Sequence, residues 1–249
     1  VAWTISNEEF FKVPFINNLK LKVSYGENGN LTSRYSTMAK MDGSRSYIFG
    51  DGASTANAQF VSSMASNLQW ETTKGMNYAL DLSLWNSRFN ICIEYYNTKT
   101  SNLLWNVNIP TITGFSTIPS NIGELSNKGI ELSLDADVLR IGDFNWNLGF
   151  NFSKNKNRIT KLLGDINNDG KEDDLIASGL FIGESINAIY GYNILGLWGL
   201  EDEKMGRIPE GTYVGCEKIE DLNNDGKIDA ENDRKILGSK DPAYRFSLT

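Results

Sequence analysis

The chain has 249 residues, of which 40% are hydrophobic and 22% are charged, a composition too apolar for an intrinsically disordered protein. Its formal net charge of -7 argues against a nucleic-acid partner, because a phosphate backbone is bound by a basic face. The absence of histidine removes the most common general base and transition-metal ligand, and the only cysteines, Cys92 and Cys216, neither establish nor exclude a disulfide.

The first predicted strand covers residues 19–25, where leucine and valine alternate with lysine and serine. Glycine and asparagine at 26–30 predict a turn or the opening of a loop. Residues 27–67 are rich in serine, glycine, asparagine and alanine, which predicts a long loop containing at most a short strand such as 47–49.

A hairpin is predicted from Trp70 onwards, with a tight turn at 85–88. Side chains alternate across a strand, so one face of this hairpin is apolar and the other is polar. A second long connection follows at 98–126, containing Pro110 and Pro119. The apolar face of the hairpin carries Tyr78, Leu80, Leu82, Leu84, Phe89, Ile91, Ile93 and Tyr95.

A second hairpin is predicted within residues 127–153, joined by the short stretch 139–143. Its two faces differ strongly in polarity, and an apolar face of this kind can pack on a protein core or meet lipid. The apolar face carries Ile130, Leu132, Leu134, Ala136, Phe144, Trp146, Leu148, Phe150 and Phe152. The polar face carries Glu131, Ser133, Asp135, Asn145, Asn147 and Asn151.

The remaining chain predicts a long segment at 154–185, an apolar and aromatic stretch at 188–198, and the start of a strand at 245–249. Helix is expected only as short turns near 7–11 and 229–233. Short turns that alternate with long loops are typical of outer-membrane barrels, whose turns are periplasmic and whose loops are extracellular. By this rule the turns at 85–88 and 139–143 are periplasmic, and the loops at 27–67 and 98–126 are extracellular.

No apolar run approaches the length of a spanning helix, whereas a barrel strand spans with about 9–11 residues. Trp70, Trp85 and Trp105 lie near predicted strand ends, which is typical of the interfacial aromatic girdles of a barrel and also of ordinary packing in a soluble sandwich. The chain starts at Val1 without methionine or a signal peptide, so we expect an interior piece of a longer precursor.

Residues 221–229 match the first nine positions of a calcium-binding loop, in which the glycine at position 6, Gly226, permits a sharp turn. Position 12 should be a bidentate acid but is Asn232, flanked by Glu231 and Asp233. The alternative is a solvated acidic turn without metal. The candidate Ca²⁺ ligands are Asp221, Asn223, Asp225, the carbonyl of Lys227, Asp229 and Asp233.

A second match begins at Asp165, but its position 12 is Ile176, so the closing acid is absent and an Asn/Asp-Gly turn is favoured over a metal site. An ion bound by either loop would be a hard cation held through oxygen in a structural role, and no cofactor is required. No nucleophile, P-loop or dinucleotide fingerprint is present, so we do not expect an enzyme. The candidate ligands of this second loop are Asp165, Asn167, Asp169 and Asp173.

Seven segments together give the chain a family resemblance. They are WTISNEEFF at 3–11, LKLKVSYGENGN at 19–30, LQWETT at 68–73, EYYNTKTSNLL at 94–104, TGF at 113–115 with NIGELSNKGIELSL at 121–134, YGYNILGLW at 190–198, and DLNNDGKIDAENDRKILG at 221–238 followed by Asp241 and Pro242. In this order, the segments resemble the SusC/RagA-like TonB-dependent transporters of the Bacteroidetes outer membrane, over nearly the whole chain.

The resemblance implies an all-β fold, in which residues 1–249 form part of an antiparallel transmembrane barrel of the plugged 22-stranded type with long extracellular loops. The plug domain, the TonB box and the final strands are expected outside this chain. The implied function is outer-membrane import of an oligosaccharide or peptide, with a SusD-like surface lipoprotein, TonB and outer-membrane lipid as partners. The family's calcium loop maps onto Asp221, Asn223, Asp225 and Asp229, with one extra residue before Asp233.

Two alternatives remain at the level of sequence. One is a soluble, calcium-stabilised β-sandwich or adhesin-like binding module, which needs a second sheet to cover the apolar faces. The other is a glycoside hydrolase acting through paired carboxylates such as Glu94, Glu131 and Asp135.

On the barrel interpretation, the apolar face of the second hairpin meets lipid. Arginine or lysine at Leu148 should then cost about 2–4 kcal/mol of stability in a complete barrel, and the same change at Asn147 should be nearly neutral.

Overall fold

The computed structural model describes residues 1–31, 35, 38–49, 54–63, 68–165, 168–209 and 211–249. They form two units, one comprising 1–173 with 243–249 and the other 174–242. No helix in these described ranges is long and apolar enough to cross a membrane. The strands are β1 (Ala2–Thr4), β2 (Ile16–Asn30), β3 (Lys40–Phe49), β4 (Ser54–Ser63), β5 (Glu71–Leu84), β6 (Phe89–Ser101), β7 (Leu104–Asn108), β8 (Thr117–Asn121), β9 (Glu124–Ile141), β10 (Phe144–Lys161), β11 (Ala188–Tyr192), β12 (Ile194–Leu197), β13 (Glu217–Ile219), β14 (Arg234–Ser239) and β15 (Arg245–Leu248).

The first unit is built on an antiparallel seven-stranded sheet in the order β1-β2-β5-β6-β9-β10-β15. Both predicted hairpins are confirmed, and their connections lie at 85–88 and at 142–143. β3 pairs with β4, and β7 pairs with β8, as separate two-stranded sheets inside the long connections. The all-β, antiparallel fold class is therefore confirmed.

The strands are longer than predicted. β2 continues through 26–30 and pairs with 71–75, although these residues were predicted to open a loop. β6 continues to Ser101 and β10 to Lys161, so the loops predicted to begin at 98 and 154 start later. In these extensions nearly all residues are polar, with the buried Ile159 as an exception, so the hydrophobic alternation ends while the backbone ladder continues.

The predicted long loops at 27–67 and 98–126 also contain more strand than expected. In the described part of 27–67, β3 and β4 form a hairpin, and in 98–126 the pair β7–β8 does so. Pro119 lies within β8, which has a hydrogen-bonded partner on one side only, and such an edge tolerates a residue that cannot donate a backbone hydrogen bond.

The described part of the second unit contains the pairs β11–β14 and β12–β13, a 3₁₀ turn at Ile176–Ser178 and the short α-helix α1 (Leu200–Lys204). The sequence did not predict α1. It predicted short helical turns at 7–11 and 229–233, but the structure has a 3₁₀ turn at Ile5–Asn7 in place of the first and a non-helical turn near 230 in place of the second. The buried apolar residues of the described chain are Ala79, Ala136, Ile159 and Leu162 in the first unit and Leu180 and Phe181 in the second.

Candidate functional site

The apolar residues of the seven-stranded sheet line up across strands on a single face. Because side chains directly opposite each other in an antiparallel pair share a face, the register alone defines this surface, which we call the apolar band. Apart from the buried Ala136, its side chains range from half-buried to exposed, with Leu21 at 37% and Ile130 at 42% exposure. Three of its rows are Trp3–Leu21–Leu80–Ile93–Leu132–Phe152–Phe246, Leu19–Leu82–Ile91–Leu134–Phe150–Leu248 and Val23–Tyr78–Tyr95–Ile130.

Aromatic side chains flank the apolar band at both ends of the strands. At the end with short turns, Trp85 contacts Phe89 edge-on at 5.4 Å between ring centroids and lies 6.1 Å from Phe15. At the end with long connections, Tyr78 and Tyr95 lie 6.3 Å apart. We call these two groups the turn-end girdle (Phe15, Trp85, Phe89, Phe144 and Trp146) and the loop-end girdle (Tyr25, Tyr78, Tyr95 and Tyr244).

The distance between the girdles suits a hydrocarbon layer. On β5 the band runs from Met76 to Leu84, which matches the about 9–11 residues of a tilted spanning strand. Aromatic girdles on both sides of an outward apolar band are the pattern of a transmembrane barrel. The β-sandwich alternative needs a second sheet packed on this face, and the exposure of the band side chains is contrary to it.

A β-bulge near the turn end keeps the apolar residues of β9 on the band. Trp146 pairs with Leu139 but Asn147 pairs with Asp137, which leaves Val138 as the extra residue. The guanidinium of Arg88 donates to the backbone oxygens of Asp137 and Val138, each at 3.1 Å. The bulge moves Leu139 to the band side, and the sequence alternation did not reveal it.

The opposite surface, the polar face, carries amides, hydroxyls and charged groups. Lys22 pairs with Asp81 at 2.9 Å, Asn77 donates to Glu94 at 3.3 Å, and Ser83 donates to Asn90 at 2.8 Å. The register places Glu131, Ser133, Asp135, Asn145, Asn147 and Asn151 on this face, as the sequence predicted. A surface of this composition can form many weak hydrogen bonds to a hydrated solute.

Glu94 and Glu131, two carboxylates weighed for glycosidase chemistry, are direct cross-strand neighbours. Their Cβ atoms are therefore about 4.5–5.5 Å apart. Their companions on this face are Asn77 and Ser133, which can donate hydrogen bonds to a carboxylate. Cys92 lies on the same face, and both it and Cys216 are free thiols.

Two glycines on the polar face make room for neighbouring side chains. A Cβ on Gly129 would lie 2.4 Å from the ring of Tyr96, which pairs with it across β6 and β9. A Cβ on Gly75 would lie 3.1 Å from the methyl group of Thr98. The sequence did not single out either glycine, because an isolated glycine in a strand carries no sign of which side chain covers it.

The acidic loop at 221–233 folds as a tight turn around its first carboxylate. The amide of Gly226 donates to Asp221 Oδ2 at 2.8 Å, and positive φ angles at Asn224 (59°) and Gly226 (80°) close the turn. Asn223 and Asp225 hydrogen-bond to each other at 2.9 Å. Asp221, Asn223 and Asp225 therefore lie within one tight turn, and their role as Ca²⁺ ligands stays a prediction.

Asp233 closes this loop and is its most buried side chain, at 1% exposure. Its carboxylate accepts hydrogen bonds from the amides of Leu222 at 2.9 Å and Asp229 at 2.8 Å, so it ties the two ends of the loop together. Glu231, the other acid flanking position 12, is exposed. The closing acid therefore stands one position later than in the usual spacing.

One carboxylate oxygen in this loop is relevant to cation binding. Asp221 Oδ1 is buried and has no hydrogen-bond partner. An uncompensated carboxylate oxygen is unfavourable unless an ion or donor satisfies it, so the donor set fits a hard cation. In the described ranges, however, no three acidic, cysteine or histidine side chains converge as a metal site.

The loop at 165–173 repeats part of this geometry. The amide of Gly170 donates to Asp165 Oδ2 at 2.8 Å, and the amide of Lys171 donates to Asp169 Oδ1 at 2.8 Å. Asp173 is held through its own amide, which donates to the carbonyl of Gly164 at 3.1 Å. Asn167 lies outside the described residues, so its predicted role stays a prediction.

In the loop at 221–233, hydrogen bonds lower the pKa of the Asp229 carboxyl. The backbone amide and the side-chain Nδ2 of Asn232, together with the backbone amide of Glu231, donate to Asp229 and hold the pKa of its carboxyl below the usual value. The loop therefore favours the ionised form of Asp229, which is also the form that a cation requires.

Comparison with known proteins gives the same picture. A family model described as "TonB dependent receptor-like, beta-barrel" matches residues 3–244. The chain is 35% identical over 270 residues to TonB-dependent receptor P3 of Formosa agariphila, covering 100% of this chain and 25% of that protein. It is 35% identical over 172 residues to TonB-dependent receptor SusC of Bacteroides thetaiotaomicron, covering 66% of this chain and 17% of that protein.

Solved structures show the same fold. The RagAB peptide transporter matches with a TM-score of 0.71 and 21% identity, over 99% of this chain and 26% of that chain. The RagAB peptide importer in its "closed-closed" state matches with a TM-score of 0.74 and 22% identity, over the same shares. The chain spans about a quarter of the length of the relatives that it matches along its whole length.

Proposed function

The chain belongs to the family of TonB dependent receptor-like β-barrels, and from this premise we propose that it forms part of the barrel wall of an outer-membrane nutrient importer. The observation that carries the proposal is the apolar band, which lies between two aromatic girdles on one face while hydrogen-bonding groups occupy the other. The band meets lipid and the polar face lines the lumen. The family is one of transport receptors, so the role of Glu94 and Glu131 is lumen polarity.

The direction of the strands orients the wall. The short connections at 85–88 and 142–143 both lie at the turn end, which we place at the periplasm. The chain leaves β10 and enters β15 at the loop end, so the connection 162–244 begins and ends on the extracellular side in this proposal.

We place the cargo among oligosaccharides and peptides, captured with a SusD-like surface lipoprotein and imported with energy delivered through TonB. The name of the RagAB structures specifies peptide for that transporter. The polar face offers amides, hydroxyls and both signs of charge, which suit hydrated cargo of either class. Structural Ca²⁺ fits the 221–233 loop, where Asp221, Asn223, Asp225 and the carbonyl of Lys227 would hold it.

Growth of the native bacterium tests the import function. A strain lacking the full-length gene should fail to grow on either an oligosaccharide or a peptide mixture as sole carbon source, and the complemented strain should recover. Growth lost only on peptides identifies peptide cargo, and growth lost only on oligosaccharides identifies glycan cargo. Unchanged uptake of labelled members of both classes, with the protein recovered in a soluble fraction, would refute the proposal.

A further inference from the structure

A cluster of basic side chains lies on the apolar-band side of the sheet, in the rows of the loop-end girdle and in the row directly beyond them. Continuous register through β9 and β10 places Lys128, Lys154, Lys156 and Arg158 on the same face as Leu132 and Phe152. We call these four basic residues the basic quartet. All four are exposed, and Lys154 is the direct cross-strand neighbour of Ile130, the last apolar residue of β9 before the quartet.

The charges of the basic quartet are uncompensated. Lys128 stands directly opposite Lys156, which puts two like charges on Cβ atoms about 4.5–5.5 Å apart. Nearby lysines are neutralised, because Lys74 pairs with Glu27 at 3.4 Å and Lys99 with Glu124 at 2.5 Å. In the part of the chain that the structure describes, no carboxylate forms an ion pair with any member of the quartet.

A directly opposed lysine pair destabilises a sheet unless an anion bridges it. The chain carries a net charge of -7, so four clustered cations on one face run against its overall charge. Lys154 and Arg158 are four residues apart on one face, about 13 Å along the strand, which can accommodate a headgroup with more than one phosphate. Lysine and arginine both bind phosphate through charge-assisted hydrogen bonds.

We propose that the basic quartet binds the phosphorylated headgroup of an anionic lipid in the outer leaflet. The inference rests on the proposed membrane placement, in which the tyrosine girdle marks the level of the headgroups. Imported cargo would pass along the polar face, whereas the quartet lies on the face continuous with the lipid-facing band. The position and the charge therefore both match a lipid rather than cargo.

Native mass spectrometry of the full-length protein in neutral detergent tests the proposal, with lipid A and dephosphorylated lipid A as probes. The wild type should retain lipid A at a concentration roughly tenfold or more below that needed for the dephosphorylated probe. The quadruple variant K128Q/K154Q/K156Q/R158Q should lose this preference. The matched control K12Q/K171Q/K204Q/K240Q, which removes four other exposed lysines, should keep it.

Equal retention of the two probes by the wild type, or an unchanged preference in the quadruple variant, would overturn the proposal. Displacement of lipid A by inorganic phosphate at equal concentration would also overturn it, by assigning the site to a free anion. Lipid binding is distinguished from import because recovery in the membrane fraction and cargo uptake are also measured on the same variants. Loss of uptake with lipid binding retained would count against import alone.

Discussion

Arginine substitutions along β10 should reveal which face of the sheet meets lipid and where the membrane midplane lies. Phe150 stands midway between Trp146 in the turn-end girdle and Lys154 in the basic quartet. It is about 13 Å along the strand from each, or about 10 Å in depth at a tilt near 40°, in a band about 25 Å tall. Phe150→Arg should therefore cost about 2–4 kcal/mol of unfolding free energy, the value for an arginine at the midplane.

Leu148 lies only about 5 Å in depth from the girdle, so Leu148→Arg should cost about 1–2 kcal/mol, less than the sequence alone led us to expect. Asn147→Arg and Asn151→Arg on the polar face should stay within about 0.5 kcal/mol of the wild type. The measurement is guanidinium unfolding of the full-length protein in phosphatidylcholine vesicles. Equal costs on the two faces, or a cost at Leu148 above that at Phe150, would refute the assigned facing.

Three further predictions concern single sites. Gly129→Val should destabilise the sheet by about 1–3 kcal/mol, because its Cβ would overlap the ring of Tyr96, and adding Tyr96→Ala should recover part of the loss in a double-mutant cycle. Asp233→Ala should cost about 1–3 kcal/mol and speed hydrogen exchange of the loop amides, whereas Glu231→Ala should leave both nearly unchanged. Because its folded pKa is depressed, Asp229 should stabilise the loop fully above about pH 4, the unfolded pKa, and lose this effect as pH falls through the folded pKa. Hydrogen exchange of the loop amides, corrected for its intrinsic pH dependence, should show that loss, and Asp229→Asn should reduce it.

The sequence predicted the parts of the fold where polarity alternates. Residues 78–95 and 130–152 were identified as hairpins with the correct apolar face, because apolar and polar side chains alternate along these strands. The extensions at 97–101 and 154–161 were missed, because nearly all of their residues are polar on both faces and the period-2 signal disappears. The bulge at Val138 was missed because it depends on the partner strand and on Arg88.

The candidate cation loop was predicted in its first half and only partly in its closure. The spacing from Asp221 to Gly226 follows from local turn chemistry, which a sequence records directly. The closing role of Asp233 depends on its burial and on amides eleven and four residues before it in the chain, at Leu222 and Asp229. A spacing rule that fixes position 12 does not reveal such a shift.

The contact between Tyr96 and Gly129 bears on how neighbouring strands find their alignment during assembly. A slip by one residue would turn every side chain to the opposite face and is excluded by polarity alone. A slip by two preserves the faces, so polarity does not prevent it. After such a slip Tyr96 would face Asn127 or Glu131, whose side chains would occupy the space now left by the glycine. Gly129 thus acts as a register mark that distinguishes the native alignment from its nearest face-preserving competitors.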